Sequence, residues 1–339
     1  MKDSFTLNIG IIGYGYWGPN LVRNFSAVPN CRVVMVCDLK NERLQLVKRT
    51  YPSIEVTKNV DDIFNNPDID AVIIATQVFT HYELGKSALT HGKSVLLEKP
   101  MTDSVAHAEE LMEIADKHNK VLMVDHTFLY NGAVKKIKEL VDKKDLGNLN
   151  YFDSTRINLG LIQQDINVLW DLAPHDISIL NHLIAERPFS VQAVGISHIH
   201  SGIENIAYLT VNYNNGFIAH FNCSWSSPVK IRMMLLGGDK KMVVYNDMNQ
   251  GEKIKVYDTG FKVENDEDKR DLLISYRSGD IFVPKIDEGE PLLSMAIDFA
   301  NAIRNGTKPI SDSHSGLWSV KVLEASQKSI KNKGIEVFL

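Results

Sequence analysis

Four sets of residues have types and spacings that could carry chemistry. The first is Gly13-Tyr14-Gly15-Tyr16-Trp17-Gly18, which follows an apolar run and opens a helix-like stretch. In such a GxGxxG turn the first glycine permits the tight turn. The second lets the backbone approach a pyrophosphate, and the third lets helix and strand pack closely. The free N–H groups of the following helix then face the phosphates. Pro19 suits a first helical turn, which has no use for its N–H. Asp38 ends a second apolar run, twenty residues after Gly18. A carboxylate there accepts hydrogen bonds from the adenosine ribose and repels a 2′-phosphate. NAD is therefore the expected cofactor over NADP, with Lys40 and Arg43 as neighbours that argue the other way.

The second set is Ala75-Thr76-Gln77, His81 and Glu98-Lys99-Pro100. Thr76 and Lys99 fall at the carboxyl ends of expected strands, which in a doubly wound sheet face the ligand crevice. A residue before proline is held extended, which restricts where Lys99 points. On an ordinary surface a lysine is merely solvated; at a strand end over a cofactor it can serve a substrate. The third set is Asp171 and His175 within Trp170-Asp171-Leu172-Ala173-Pro174-His175-Asp176. One helical turn brings both side chains to one face. The carboxylate can orient the imidazole and tune it toward neutrality, where a general base works best. Pro174 reads as a first helical turn and Asp171 as its N-cap, and taken alone the pair reads first as a cap and a surface histidine. The fourth set is Arg156 and Asn158, expected at the substrate. A guanidinium suits a diphosphate or carboxylate, though a salt bridge on a sheet surface explains Arg156 equally well. His182, His198, His200 and His220 lack the alternation of ligands and acids of a metal site and read as structural, so no metal is expected.

These residues need elements to hold them. Short apolar runs at Leu7–Ile12, Arg32–Cys37, Ile54–Thr57, Ala71–Ala75, Ser94–Glu98 and Val121–Val124 read as strands buried on both faces. Helix-length stretches separate them, the clearest being Ser104–Asn119. The pattern predicts a Rossmann-type doubly wound parallel sheet over residues 1–125. A helix over Ala133–Val141 follows. Alternating segments then run through Val191–Ile199, Ile206–Tyr213, Phe217–Ser224, Ile231–Leu236, Lys241–Tyr245 and Ile254–Tyr257. They predict an α+β domain over 126–339 with a largely antiparallel open sheet. Lys262–Asp271 reads as a solvated charged loop, and helices over Leu292–Asn305 and Ser313–Asn332 close the chain.

The length of 339 residues suits two domains, and 44% hydrophobic with 23% charged residues is ordinary for a globular chain. No apolar run is long enough to span a bilayer, and the first residues lack the marks of a signal peptide. A net charge of −5 with mixed signs argues against a nucleic-acid partner. Cys31, Cys37 and Cys223 have neither disulfide-framework nor zinc spacing, which points to a reducing cytoplasm.

The glycine-rich turn, Glu98-Lys99-Pro100 and Asp171-x-x-x-His175 resemble, in order and spacing, the glucose–fructose oxidoreductase / inositol dehydrogenase (Gfo/Idh/MocA) family over essentially the whole chain. The resemblance implies NAD or NADP in the first domain and a sugar, polyol or sugar nucleotide between the domains. It implies that Gly13, Gly15, Tyr16, Trp17, Gly18, Asp38, Thr76, His81, Glu98 and Lys99 bind the cofactor. Lys99 and His175 would line the hydride-transfer site, with Asp171 nearby. Thr76-Gln77 departs from the family's usual Thr-Pro. Segments such as Gly13–Asn20, His126–Asn131, Leu169–Leu180 and Tyr276–Pro284 resemble a branch frequent among bacterial sugar-nucleotide enzymes, including UDP-N-acetylglucosamine and UDP-N-acetylglucosaminuronate 3-dehydrogenases. That branch implies oxidation at C3 of a UDP-sugar in amino-sugar or surface-polysaccharide (lipopolysaccharide) biosynthesis. It also implies a homodimer or homotetramer paired through the C-terminal sheet. Two other readings stay open. One is a dehydrogenase of inositol or another small polyol. The other is a cofactor-binding regulator without turnover, which retention of Lys99 and His175 disfavours.

Overall fold

A computed structural model describes residues 6–160, 162–163, 165–199, 202–262, 275–277 and 279–339. His200 and most of the charged stretch Lys262–Asp271 fall outside them. The chain divides into two compact units, one of Met1–Tyr130 with Gly289–Lys321, the other of Asn131–Glu288 with Val322–Leu339.

The first unit is built on six parallel strands: β1 Leu7–Ile12, β2 Cys31–Cys37, β3 Glu55–Thr57, β4 Ala71–Ile74, β5 Ser94–Leu97 and β6 Leu122–Val124. Their order, β3-β2-β1-β4-β5-β6, reverses between β1 and β4, as in a doubly wound sheet. Every residue of β4 and β5 is buried, which is why these runs carry Val, Ile and Leu without polar alternation. Helices α1 Gly18–Ala27, α2 Asn41–Thr50, α3 Asp61–Phe64, α4 His81–Thr90 and α5 Val105–Lys117 connect the strands.

A further helix, Pro291–Asn305, also belongs to this unit, although the sequence places everything after residue 125 in the second domain. Its face of Leu292, Met295, Ala296, Phe299 and Ala300 is buried, and Phe299 meets Phe25 of α1 edge-on at 6.1 Å. Tyr130 Oη donates to Asp298 Oδ2 at 2.7 Å, and Arg23 of α1 pairs with Glu290. An amphipathic pattern shows that a helix face will be buried but not which partner buries it. The boundary therefore falls at Tyr130/Asn131, and the chain returns to the first unit at Gly289.

The second unit holds β7 Leu149–Leu159, β8 Ser190–Ile196, β9 Ile206–Asn212, β10 Ile218–Ser224, β11 Ser226–Gly238, β12 Met242–Asn246 and β13 Ile254–Tyr257. Gly260–Lys262 (β14) and Ser275–Arg277 (β15) form a separate pair. Ile281–Phe282 (β16) and Val337–Phe338 (β17) complete a nine-stranded sheet ordered β16-β13-β12-β11-β7-β10-β9-β8-β17. All its pairs are antiparallel except β10 with β7. The central strand β7 is absent from the sequence expectation. Its residues Asp153, Ser154, Thr155, Arg156 and Asn158 put polar groups on both faces, which hides the period-two signal.

Those polar groups have a task. Ser154 and Arg156, two apart on β7, are both buried and turned to the helix α7 Val168–Leu183. The Asp176 carboxylate accepts from Ser154 Oγ at 2.8 Å and from Arg156 Nε and Nη2 at 2.9 and 2.6 Å. Burial works against the charge on Arg156, but Asp176 outweighs it and holds the guanidinium protonated. The N-cap of α7 is Asn167, whose side chain accepts from Leu169 N and Trp170 N, both at 3.1 Å. Asp171 is therefore not the cap, and Pro174 lies inside the helix rather than in its first turn. Proline denies Trp170 O its helical N–H, a cost that the cap and the buried ion pair offset. The helices α6 Gly132–Asp142, α8 Pro291–Asn305 and α9 Ser313–Lys331 complete the chain, α9 running from the first unit into the second.

Removing one partner of a buried pair strands the other's charge. Arg156→Met is expected to destabilise the second unit by about 3–5 kcal/mol in denaturant unfolding. Arg156→Met/Asp176→Leu should recover most of that loss; a double variant as unstable as the single would show that the pair does not hold α7.

Candidate functional site

The glycine-rich turn follows β1 and is fixed by close contacts. Gly13 has φ of 97°, and a Cβ there would sit 2.4 Å from Ala75 O. A Cβ on Gly18 would sit 2.7 Å from Gly13 O, so helix and turn touch at that point. At Gly15 the nearest atom to such a Cβ is Arg43 Nη1 at 3.7 Å, which leaves the backbone open to an approaching group. Trp17 is the N-cap residue of α1, and no side chain caps that helix. Tyr16 and Trp17 stand exposed, edge to face at 5.2 Å.

Asp38 follows β2 and accepts from Tyr14 N at 2.7 Å, Lys40 N at 2.8 Å and Arg43 Nη1 at 3.1 Å. Burial tends to raise its pKa, but the two backbone donors and Arg43 outweigh that and hold the carboxyl below its usual range. Asp38 thus tethers the turn. The narrow turn, the open Gly15, the uncapped helix and the ionised carboxylate fit a dinucleotide. They would hold its pyrophosphate and adenosine ribose.

His81 was expected at the cofactor, but it is buried between two loops. Its Nδ1 lies 3.0 Å from Pro100 O and its Nε2 3.1 Å from Thr76 O, so the ring packs between the β4 and β5 ends and donates its one N–H to one of the two carbonyls. Thr76 Oγ1 shares a hydrogen bond with Thr80 Oγ1 at 2.6 Å. Lys99 follows β5, and Glu98 and Asp125 continue the β5–β6 register past Leu97 and Val124. The ladder extends with them, because Glu98 N donates to Ile74 O and Asp125 N to Leu97 O. Two buried carboxyls therefore lie side by side near one ammonium. Burial pushes both upward in pKa; for Glu98 the charge of Asp125 adds to this and that of Lys99 opposes it, while Asp125 is opposed by Thr127 and Lys99. His126 is fully buried, and among the described residues neither ring nitrogen has a hydrogen-bond partner. Burial first, and the Lys99 charge second, lower its pKa to about 4, so it is neutral. Arg43 is noted beside Asp38 and His126 opens the segment His126–Asn131, but Asp125 is not singled out by motif. The periodicity that ends β6 at Val124 is the signal that marks Asp125 and His126 as strand-end residues.

In the second unit, α7 buries nearly every residue from Val168 to Leu180. The only positions in that stretch that remain part-exposed are Asp171, Leu172 and His175. Asp171 Oδ2 accepts from Trp225 Nε1 at 3.0 Å, a partner with no sequence signal. Asn158 is half-buried at the end of β7 beside Gly160 and the Trp225 ring. Arg156, expected to meet a substrate anion, instead gives two of its nitrogens to Asp176 in the core. Among the described residues no cluster of His, Cys, Asp and Glu could hold a metal ion, and no helix is long and apolar enough to cross a membrane.

Residues 7–126 match the Gfo/Idh/MocA oxidoreductase family with its NAD-binding Rossmann fold, and residues 134–244 match that family's C-terminal domain. The chain is similar to scyllo-inositol 2-dehydrogenase (NADP(+)) of Bacillus subtilis strain 168, 24% identical over 97% of this chain and 95% of that one. It is 25% identical to UDP-N-acetylglucosamine 3-dehydrogenase of Acidithiobacillus ferrooxidans over 64% of this chain and 67% of that one. A solved structure of the latter shares the fold, with TM-score 0.81 at 21% identity over 96% of this chain and 98% of that chain.

The buried carboxyls give a pH dependence with a definite sign. Folded Glu98 keeps a proton that the unfolded chain releases above 4.5, so its contribution is present at low pH and lost as pH rises toward and beyond neutrality. Glu98→Gln removes that loss. The variant should be more stable than the native chain at pH 8, by about 1–3 kcal/mol, with the gap narrowing toward pH 5. Denaturant midpoints across that range check it; parallel profiles for the two proteins would contradict it.

Proposed function

The chain belongs to the Gfo/Idh/MocA oxidoreductases, and from that premise we propose that it oxidises a secondary alcohol of a sugar nucleotide, C3 of a UDP-sugar, with NAD. The observation that carries this reading is the turn of α7 at Asp171 and His175, which stay part-exposed, with Leu172, in a stretch from Val168 to Leu180 that is otherwise buried. A structural helix has no need to keep a carboxylate and an imidazole there. When bound, the nicotinamide supplies the hydride acceptor. Gly13, Gly15, Gly18 and Asp38 hold the cofactor, joined in this reading by Tyr16, Trp17, Thr76 and Glu98. His175 takes the hydroxyl proton as general base. Lys99 donates a hydrogen bond to the same oxygen and stabilises the negative charge that develops on it. Asp171 orients the imidazole.

Asp38 supports NAD over NADP, while Arg43, 3.1 Å from it, is the group that would receive a 2′-phosphate. A second reading, a small-polyol dehydrogenase, is favoured by one observation: the Arg156 guanidinium expected for a diphosphate is bound to Asp176. The similarity to an inositol dehydrogenase over 97% of the chain points the same way. Assembly is the last part of the proposal. Register puts Val194, Tyr208 and Ile218 on one sheet face, where they are 51%, 45% and 46% exposed. A second copy is the proposed cover for that face, and the site would work in the bacterial cytoplasm.

The test is reduction of NAD and NADP against a panel of UDP-sugars, dTDP-sugars and inositols. A UDP-sugar with NAD should give the highest turnover; an inositol in that place selects the second reading. With the best substrate, His175→Asn should lower kcat by about 10²–10⁴ while NAD still binds, and Lys99→Met should lose a comparable amount. Near-native turnover by His175→Asn across pH 6–9 would overturn the mechanism. Light scattering at micromolar concentration should give a dimer or tetramer, and a monomer would remove the assembly proposal.

A further inference from the structure

The accessible turn of α7 is gripped by a residue from the sheet. Trp225 is the single residue between β10 and β11. Its backbone is pinned on both sides, because its N–H donates to Asn205 O at 2.9 Å and its carbonyl accepts from Gly160 N at 3.4 Å. The side chain is 2% exposed. Its Cδ1 lies 3.0 Å from where a Cβ on Gly160 would be, so the backbone just after β7 lies close against the ring. An indole this constrained has one direction for its N–H, and that direction ends on Asp171 Oδ2 at 3.0 Å. Asp171 has no capping duty, since Asn167 already accepts from the first amides of α7.

We propose that Trp225 is a positioning residue for the reaction: its indole N–H fixes the Asp171 carboxylate, which sets the ring of His175 one helical turn on. The proposal rests on the reading of Asp171 and His175 given above. If packing alone selected this residue, phenylalanine would fill the space and leave no buried donor in need of a partner. A hydrogen bond to a carboxylate is charge-assisted and directional. It holds one orientation of the Asp171 oxygens. The grip has consequences for catalysis because small displacements of a general base cost large factors in rate.

Trp225→Phe removes the donor and keeps most of the ring. It should lower kcat by about 10–100-fold with the KM for NAD within about twofold. In an Asp171→Asn background the same change should cost less than about twofold more, because both variants break one interaction. A readout free of turnover is the indole region of a 15N-labelled protein, which holds four tryptophan N–H signals. The Trp225 signal should lie downfield and lose that displacement in Asp171→Asn. If Trp225→Phe fails to fold, the single indole signal that Asp171→Asn moves carries the same test. A native kcat in Trp225→Phe, full multiplication of the two losses, or indole signals all indifferent to Asp171→Asn would each overturn the proposal. Failure of the native protein to turn over any alcohol would instead sink the oxidoreductase reading and leave the indole test standing.

Discussion

The guanidinium of Arg156 and the carboxylate of Asp176 meet in the core of the second unit, with side chains 5% and 2% exposed, and the rotational setting of α7 follows from that contact. A helix turns about 100° per residue, so a slip of one position would carry Asp171 and His175 into the sheet. The pair forbids the slip, because any other setting leaves a buried charge without its partner. Ser154 adds a third donor to the same carboxylate, and the Asn167 cap fixes where the helix starts. Pro174 is tolerated inside α7 for the same reason: the helix is held from outside as well as by its own ladder. The apparent stray polarity of β7 is what allows a mostly buried helix to keep Asp171 and His175 part-exposed.

The first unit solves a related problem at its strand ends. There the constraint is charge balance. One ammonium, Lys99, stands near two buried carboxyls and a neutral imidazole. Two like charges side by side without water are costly, so burial favours a proton on the carboxyl pair. Lys99 then keeps a carboxylate counter-charge without being neutralised by two. His81 lies between Thr76 O and Pro100 O, one of which accepts its N–H, which makes it part of the frame around Lys99.

Much of this was legible in the residues. The six strands of the first unit lie within a residue or two of the apolar runs, and in β4 and β5 burial on both faces leaves a nearly unbroken Val, Ile and Leu signal. The tight turn at Gly13 and Gly18, and the place of Asp38 after β2, were readable because backbone geometry leaves few alternatives at those spacings. What was not readable depended on partners distant in sequence. β7 was missed because its polar residues serve α7, and the return of Pro291–Asn305 to the first unit depends on Phe25, far earlier in the chain. Arg156 was assigned to a substrate anion because a guanidinium advertises its chemistry but not its neighbour. Trp225 gave no signal, since a tryptophan at a strand end reads as core until its N–H is seen on Asp171.

Label transfer tests the central claim most directly. Candidate sugars and inositols carrying deuterium at their ring carbons are incubated with the protein and NAD, and the reduced cofactor is isolated. The account predicts one deuterium per reduced nicotinamide from the native protein and almost none, over the same interval, from His175→Asn. Tight cofactor binding without transfer from any of these alcohols would contradict it and identify the chain as a binding protein that has kept the site without the reaction.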